Sequence, residues 1–240
     1  MKNEYIITKT ITSVDVDYKL EVKLSSLFLF FQEVSALQAE VLHIGNEATI
    51  DKGLHWVITR FEVEVIRMPI DNEVINVSTY PGESNGLFFY RHYRITDKKG
   101  NLLVKAASVW VVIDANTHQV KRDPFNGMKL PVEHYKDELA IPGKVVTSSM
   151  EYIYSRVVKY SDIDLNTHLN NTRYIEFISD SFPLSFYNEY KIKNILINYN
   201  AEFVVDDEIK IYRSSSNPYI VSGRKDDKDH FLAKLEFCKR

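Results

Sequence analysis

Asp164, Asn166 and His168 fall at alternate positions in a short polar stretch, residues 161–171, just ahead of an apolar run. In an extended segment, alternate side chains project to one side. That spacing predicts a carboxylate, an amide and an imidazole facing together. Asn170 and Asn171 follow as N-cap candidates, and residues 172–181 carry apolar side chains at helical spacing. The free N–H groups of a helix start favour developing negative charge. A base, a polar orienting group and an anion-stabilising helix end together suit attack on a carbonyl.

The elements that must hold these residues read as one pattern told twice. A strand-like opening (residues 5–12) leads to a helical run (25–43), then alternating strands over 54–67, 73–80, 87–96 and 102–113. The second half opens at 148–159, continues with the helix after His168, and ends in strands over 195–205, 208–214, 219–224 and 230–238. Pro183 is placed to end or kink that second helix. Residues 123–144, rich in Pro, Gly and charge, read as the connection. The division is therefore residues 1–128, a linker over 129–144, and residues 145–240. One helix and several antiparallel strands per half give an α+β class.

Local echoes support a duplication: Asp71-Asn72-Glu73-Val74 resembles Asp206-Asp207-Glu208-Ile209. Matching the helix starts sets Tyr18, Leu20 and Val22 opposite Asp164, Asn166 and His168. Matching the Asp-rich turns sets Arg67 opposite Glu202. On that alignment the first half lacks the polar groups of the second, and the expectation is divided labour: chemistry in the second half, substrate accommodation in the first.

Composition narrows the classes. The chain has 240 residues, 45% of them hydrophobic and 26% charged, which is the balance of a globular protein rather than a disordered one. A net charge of −3, with no basic block and no zinc-ligand spacing, argues against nucleic acid as a partner. The one cysteine, Cys238, can form no intrachain disulfide and is a poor candidate nucleophile. The most apolar cluster, residues 27–31, is too short to span a bilayer, and residues 1–17 lack a signal-peptide core. A soluble, cytoplasmic protein without membrane partners is expected.

The sequence resembles the acyl-acyl carrier protein thioesterases. The stretch from Asp164 to Ile175 is similar to that family's Asp-x-Asn-x-His-x-Asn-Asn signature. Leu54-His55-Trp56-Val57-Ile58-Thr59-Arg60 resembles its Trp-Val-x-Thr-Arg strand, and Ala107-Ser108-Val109-Trp110-Val111 its Thr-Ser-Val-Trp-Val strand. The resemblance implies a tandem (double) hotdog fold, two long helices each wrapped by an antiparallel sheet. It implies hydrolysis of the thioester joining a fatty acyl chain to carrier-protein phosphopantetheine, with no cofactor and no metal. A homodimer is compatible with the fold, because hotdog sheets often pair.

The resemblance also implies the site: Asp164, Asn166 and His168 match the family's catalytic Asp, Asn and His, and Glu202 its downstream Glu. Phe203 stands where many members have Cys, so a thiolate mechanism is not expected here. Direct attack by water is, with His168 or Glu202 as base, Asp164 orienting His168 or Asn166, and Asn166 or His168 able to bind the carbonyl. Residues 27–31 and Trp56 are candidates to line or cap an acyl tunnel. Arg173 and the pairs Lys98-Lys99, Lys121-Arg122 and Arg224-Lys225 are candidates to meet an acidic carrier. Rival expectations are an acyl-CoA thioesterase, a non-catalytic acyl-binding hotdog protein, and a hotdog dehydratase.

Overall fold

The computed structural model describes residues 3–240. It divides into two units: the first runs to Pro142, and the second is Gly143–Arg240 together with Leu24–Phe28.

In the first unit, β1 (Tyr5–Thr10) precedes the helix α1 (Leu24–Val41), which belongs to this unit from Leu29 onward, and a short helix α2 (Asn46–Thr49). Four strands follow: β2 (Leu54–Val65), β3 (Val74–Ser84), β4 (Phe89–Asp97) and β5 (Leu102–Asp114). They pair antiparallel in the order β1-β3-β4-β5-β2. Residues alternate across each strand, so β4 turns Phe89, Arg91, Tyr93 and Ile95 to one face. The helix buries Phe31 and Val34 completely, and the Phe31 ring sits 5.0 Å from Tyr93 and 5.8 Å from Phe61. Phe31 is therefore core, and Leu29 of the same run is half-exposed.

The segment read as a linker is fastened to this unit. Phe125 stacks on Trp56 at 5.5 Å, Asp137 is ion-paired with Arg94, and Tyr135 packs on Tyr80 at 5.2 Å. Arg60 also donates to the Pro142 carbonyl at 2.9 Å, which fixes the end of the unit.

The second unit repeats the plan with β6 (Glu151–Val157), the helix α3 (Asn171–Asp180), a short α4 (Leu184–Glu189), and β7 (Tyr190–Tyr199), β8 (Glu208–Arg213), β9 (Tyr219–Lys225) and β10 (Lys228–Lys239). Its antiparallel order is β6-β8-β9-β10-β7, the same order as in the first unit. Thr172, Tyr174, Ile175, Phe177 and Ile178 form the buried stripe of α3. This helix is shorter than α1. It stops at Asp180, and Pro183 instead starts α4. No single helix in the described residues is long and apolar enough to cross a membrane.

Candidate active site

The stretch holding Asp164, Asn166 and His168 is a closed turn, not the extended segment expected from alternation. The Asp164 N–H donates to the His168 carbonyl at 2.8 Å, and Thr167 N–H to the Asp164 carbonyl at 3.0 Å. Thr167 takes the left-handed conformation, φ 64°, that such a reversal needs. The Asp164 carboxylate accepts the Asn166 backbone N–H at 2.8 Å. Asp and Asn favour turns through bonds of this kind, which outweighs the strand reading. Asp164 thus shapes the turn through Asn166, and no hydrogen bond among the described residues joins its carboxylate to the imidazole.

The turn is closed by a bridge between Ile163 and Leu169, and it is hung on the segment after β7: Leu169 N–H donates to the Phe203 carbonyl at 2.8 Å, and His168 bridges Val204. That pairing brings His168 Nε2 to 3.2 Å from Glu202 Oε2. Glu202 is not on the strand expected over 195–205. The strand ends at Tyr199, because the N–H groups of Asn200 and Ala201 both turn to the His230 carbonyl. Phe203, fully buried, anchors the segment; the His230 ring stacks on it at 4.4 Å, and His230 Nδ1 lies 3.0 Å from the Glu202 carbonyl.

Asn170 is the N-cap of α3: its side-chain oxygen accepts the Thr172 N–H at 2.9 Å. Beneath the pair, Tyr174 packs against Tyr199, Phe203 and Phe231. Burial pushes the Tyr174 hydroxyl well above its ordinary range, a hydrogen bond to the Phe203 backbone opposes this, and the Glu202 and Asp164 carboxylates add to the rise. Tyr174 stays neutral and forms part of the floor. Helical spacing marked it as core; nothing in the sequence placed it under Glu202.

Asp162, buried two residues before Asp164, was not singled out by the sequence. Arg173, a candidate for the carrier, is engaged internally with Glu176 at 2.8 Å and with the Ser161 carbonyl at 3.1 Å. Arg224 and Lys225 are likewise paired, with Asp229 and Asp207. Among the described residues no cluster of three or more His, Cys, Asp or Glu side chains is disposed to hold a metal ion.

The duplication aligns bond for bond, but one residue away from the sequence-based match. Val16–Val22 bridges as Ile163–Leu169 does, Asp17 N–H bonds the Glu21 carbonyl at 2.8 Å, and Leu20 has φ 60°. Lys19 N–H donates to the Asp17 carboxylate at 2.8 Å, as Asn166 does to Asp164. The counterparts of Asp164, Asn166 and His168 are therefore Asp17, Lys19 and Glu21, not Tyr18, Leu20 and Val22. Likewise the N–H groups of Ile66 and Arg67 both turn to the Leu103 carbonyl, so Met68, not Arg67, matches Glu202. A one-residue slip in such a segment reverses which residues face the site. The first unit keeps the turn and its polar residues; it replaces the imidazole–carboxylate pair with Glu21 and Met68.

A helix-backed antiparallel sheet built twice in the same strand order is a tandem hotdog protein, and here the second copy of the turn brings His168 against Glu202. The chain belongs to the acyl-ACP thioesterase family: the family's N-terminal domain matches residues 2–124 and its C-terminal domain residues 146–234. The structure is similar to that of an acyl-ACP thioesterase from Bacteroides thetaiotaomicron, with a TM-score of 0.91, 25% identity and 98% of each chain covered. It shares its fold with a 12:0-ACP thioesterase from Umbellularia californica, TM-score 0.85 at 20% identity, covering 100% of this chain and 99% of that one. Among sequences, a chloroplastic palmitoyl-acyl carrier protein thioesterase from Arabidopsis thaliana is 28% identical over 162 residues, 63% of this chain and 39% of that protein. An acyl-[acyl-carrier-protein] hydrolase from Cuphea viscosissima is 24% identical over 207 residues, 80% of this chain and 50% of that protein. The chain thus spans about half the length of the curated relatives it matches or less.

Proposed function

We propose that this protein hydrolyses fatty acyl-[acyl carrier protein] thioesters, releasing the fatty acid in fatty acid biosynthesis. The observation that carries this reading is the 3.2 Å contact of His168 Nε2 with Glu202 Oε2 on the family's own motif turn. Water hydrogen-bonded to the imidazole–carboxylate pair loses a proton to it as the water oxygen bonds the thioester carbonyl carbon. The tetrahedral oxyanion then collapses, the C–S bond breaks, and the proton passes to the departing phosphopantetheine sulfur. A positioned base contributes roughly 10²–10⁴ in rate. With Phe203 in place of a cysteine, water rather than a thiolate is the nucleophile.

Asn166 and the start of α3 are assigned to the carbonyl oxygen; one oxyanion donor is worth about 10²–10³ in turnover. Asp164 holds the turn that carries Asn166 and His168. The first unit, with Glu21 and Met68 in place of the pair, accommodates the acyl chain.

The test is thiol release from acyl carrier proteins bearing different chain lengths, by wild type, His168→Ala and Glu202→Gln. Release that both substitutions abolish supports the reading, and equal or faster release from the matching acyl-CoA moves the carrier assignment to coenzyme A. Folded wild type that retains acyl ligand without turnover would falsify the hydrolase reading in favour of an acyl-binding protein.

A further inference from the structure

The turn bearing His168 is held at both ends by one buried residue. Asp162 Oδ2 accepts the Lys159 N–H at 3.0 Å, and the Asp162 carbonyl accepts the N–H of Asn170, the cap of α3, at 2.9 Å. Its other carboxylate oxygen meets Arg156 Nη2 of β6 at 3.1 Å and faces Arg173 Nε of α3 at 3.9 Å. Both arginines are tied in turn. The Arg156 guanidinium lies 4.4 Å from the Phe177 ring centroid, and Arg173 forks Glu176 and reaches the Ser161 carbonyl. The Asp162 side chain is 2% exposed, so its charge is felt at low dielectric and the arrangement is stiff.

The first unit supplies an internal control. Asp15 makes the same backbone bracket: its carboxylate accepts the Thr12 N–H at 3.0 Å, and its carbonyl accepts the Lys23 N–H at 2.9 Å. There the other partner is the Thr12 hydroxyl at 2.8 Å, not a pair of arginines. The bracket is common to both units of this chain. The arginine pair is found on the copy that carries His168 and Glu202.

The geometry points to Asp162, with Arg156 and Arg173, as a positioning group that fixes the 164–168 turn so that His168 meets Glu202. It touches no reacting atom, and it rests on the hydrolase reading above. Asp162→Asn keeps an acceptor for Lys159 but removes the charge between the arginines. A misplacement of about 1 Å is worth roughly 10²-fold in rate, so kcat is expected to fall by about that factor. KM stays near wild type, as it does when an interaction expressed in the transition state is lost.

The experiment measures kcat, KM and the His168 ring ¹⁵N shifts at one fixed pH for wild type, Asp162→Asn, Arg173→Gln and Asp15→Asn. The expected result is that ring shifts and kcat move in Asp162→Asn and, by a smaller factor, in Arg173→Gln, while Asp15→Asn loses stability only. If Asp162→Asn does not fold, Arg173→Gln decides, since its side chain is partly exposed. Folded variants with wild-type ring shifts and kcat, or an equal effect from Asp15→Asn, overturn the proposal. If wild type itself releases no thiol, the hydrolase reading fails, and the ring shifts still judge the positioning role.

Discussion

Glu21 and His168 occupy the same place in two copies of one turn. Each shares its carbonyl with an aspartate N–H four residues earlier, and each bridges the segment that follows the second strand of its sheet. The turn is kept in both copies, and the His168–Glu202 contact belongs to the second. What separates the copies is the residue two places before the bridged one, Glu202 before Val204 in one and Met68 before Ile70 in the other, and a thioether cannot take up a proton from water.

That relationship sets the first expectation. Asp17→Ala removes the acceptor of the Lys19 N–H but touches no acid–base pair. It should cost on the order of 1 kcal/mol of stability and leave turnover within about twofold. Asp164→Ala, the same change in the other copy, should cost similar stability and lower turnover by at least ~10-fold, because the turn it shapes carries Asn166 and His168. Urea denaturation beside thiol-release assays on both variants checks this. Equal turnover losses would show that the first turn also takes part.

Gly223 is a site of close approach beneath the pair. It lies opposite Phe231 in the ladder of β9 and β10, and a Cβ built there would stand 2.0 Å from a Phe231 ring carbon. Phe231 is fully buried and packs on Tyr174 with ring centroids 5.4 Å apart. Gly223→Ala must therefore push the floor of the site, at about 1–3 kcal/mol. Phe231→Leu should relieve part of that in the double variant, and thermal denaturation of the four proteins reads the coupling. Additive losses would mean the strand moves instead of the ring.

A hydroxyl relay crosses the core of the first unit, and its removal has a distinct signature. Tyr93, 1% exposed, places its hydroxyl 2.9 Å from Ser35 Oγ and 3.1 Å from Ser108 Oγ, and the Trp110 N–H donates to Ser108 at 2.7 Å. Tyr93→Phe strips a partner from two buried hydroxyls, at about 1–3 kcal/mol. Ser108→Ala in that background should cost less than Ser108→Ala alone, since the lost bond is counted once. A double-mutant cycle by chemical denaturation tests it; strictly additive values would place the two hydroxyls on separate networks.

Much of this was legible in the residues. The motif residues, the duplication and the helix stripe over 172–178 each carry their own signal: polar residues at fixed spacing, echoed Asp-rich segments and 3.6-residue periodicity. Three things were not. The turn conformation of 164–168 depends on the Asp164 carboxylate choosing a backbone N–H over its neighbours' side chains. The end of β7 depends on His230, distant in sequence, taking two N–H groups at once. The one-residue offset between the copies depends on bonds that no composition records, since Asp17, Lys19 and Glu21 share only one residue type with Asp164, Asn166 and His168. Asp162 was hidden for a related reason, because an aspartate in a polar stretch reads as solvated until two arginines are found around it.

The fork between Arg67 and Glu73 gives a pH dependence with a definite sign. Arg67 donates to both carboxylate oxygens, at 2.6 and 3.0 Å, and the Ile70 N–H adds a third bond at 3.0 Å. The Arg67 hydrogen bonds hold the Glu73 carboxyl below its ordinary value, against the opposing pull of burial. A group whose folded pKa is depressed binds fewer protons folded than unfolded. Its stabilisation is present above the unfolded glutamate pKa of about 4.3 and is lost as pH falls through the lower folded value. Glu73→Gln should therefore lower the denaturation midpoint clearly at pH 7. The gap from wild type should begin to narrow as pH falls through the unfolded value of about 4.3 and keep narrowing toward pH 3, as wild-type Glu73 takes up its proton. Urea midpoints for both proteins from pH 7 to pH 3 measure it. A gap that stays constant across that range would mean that the glutamate acts through its shape and not its charge.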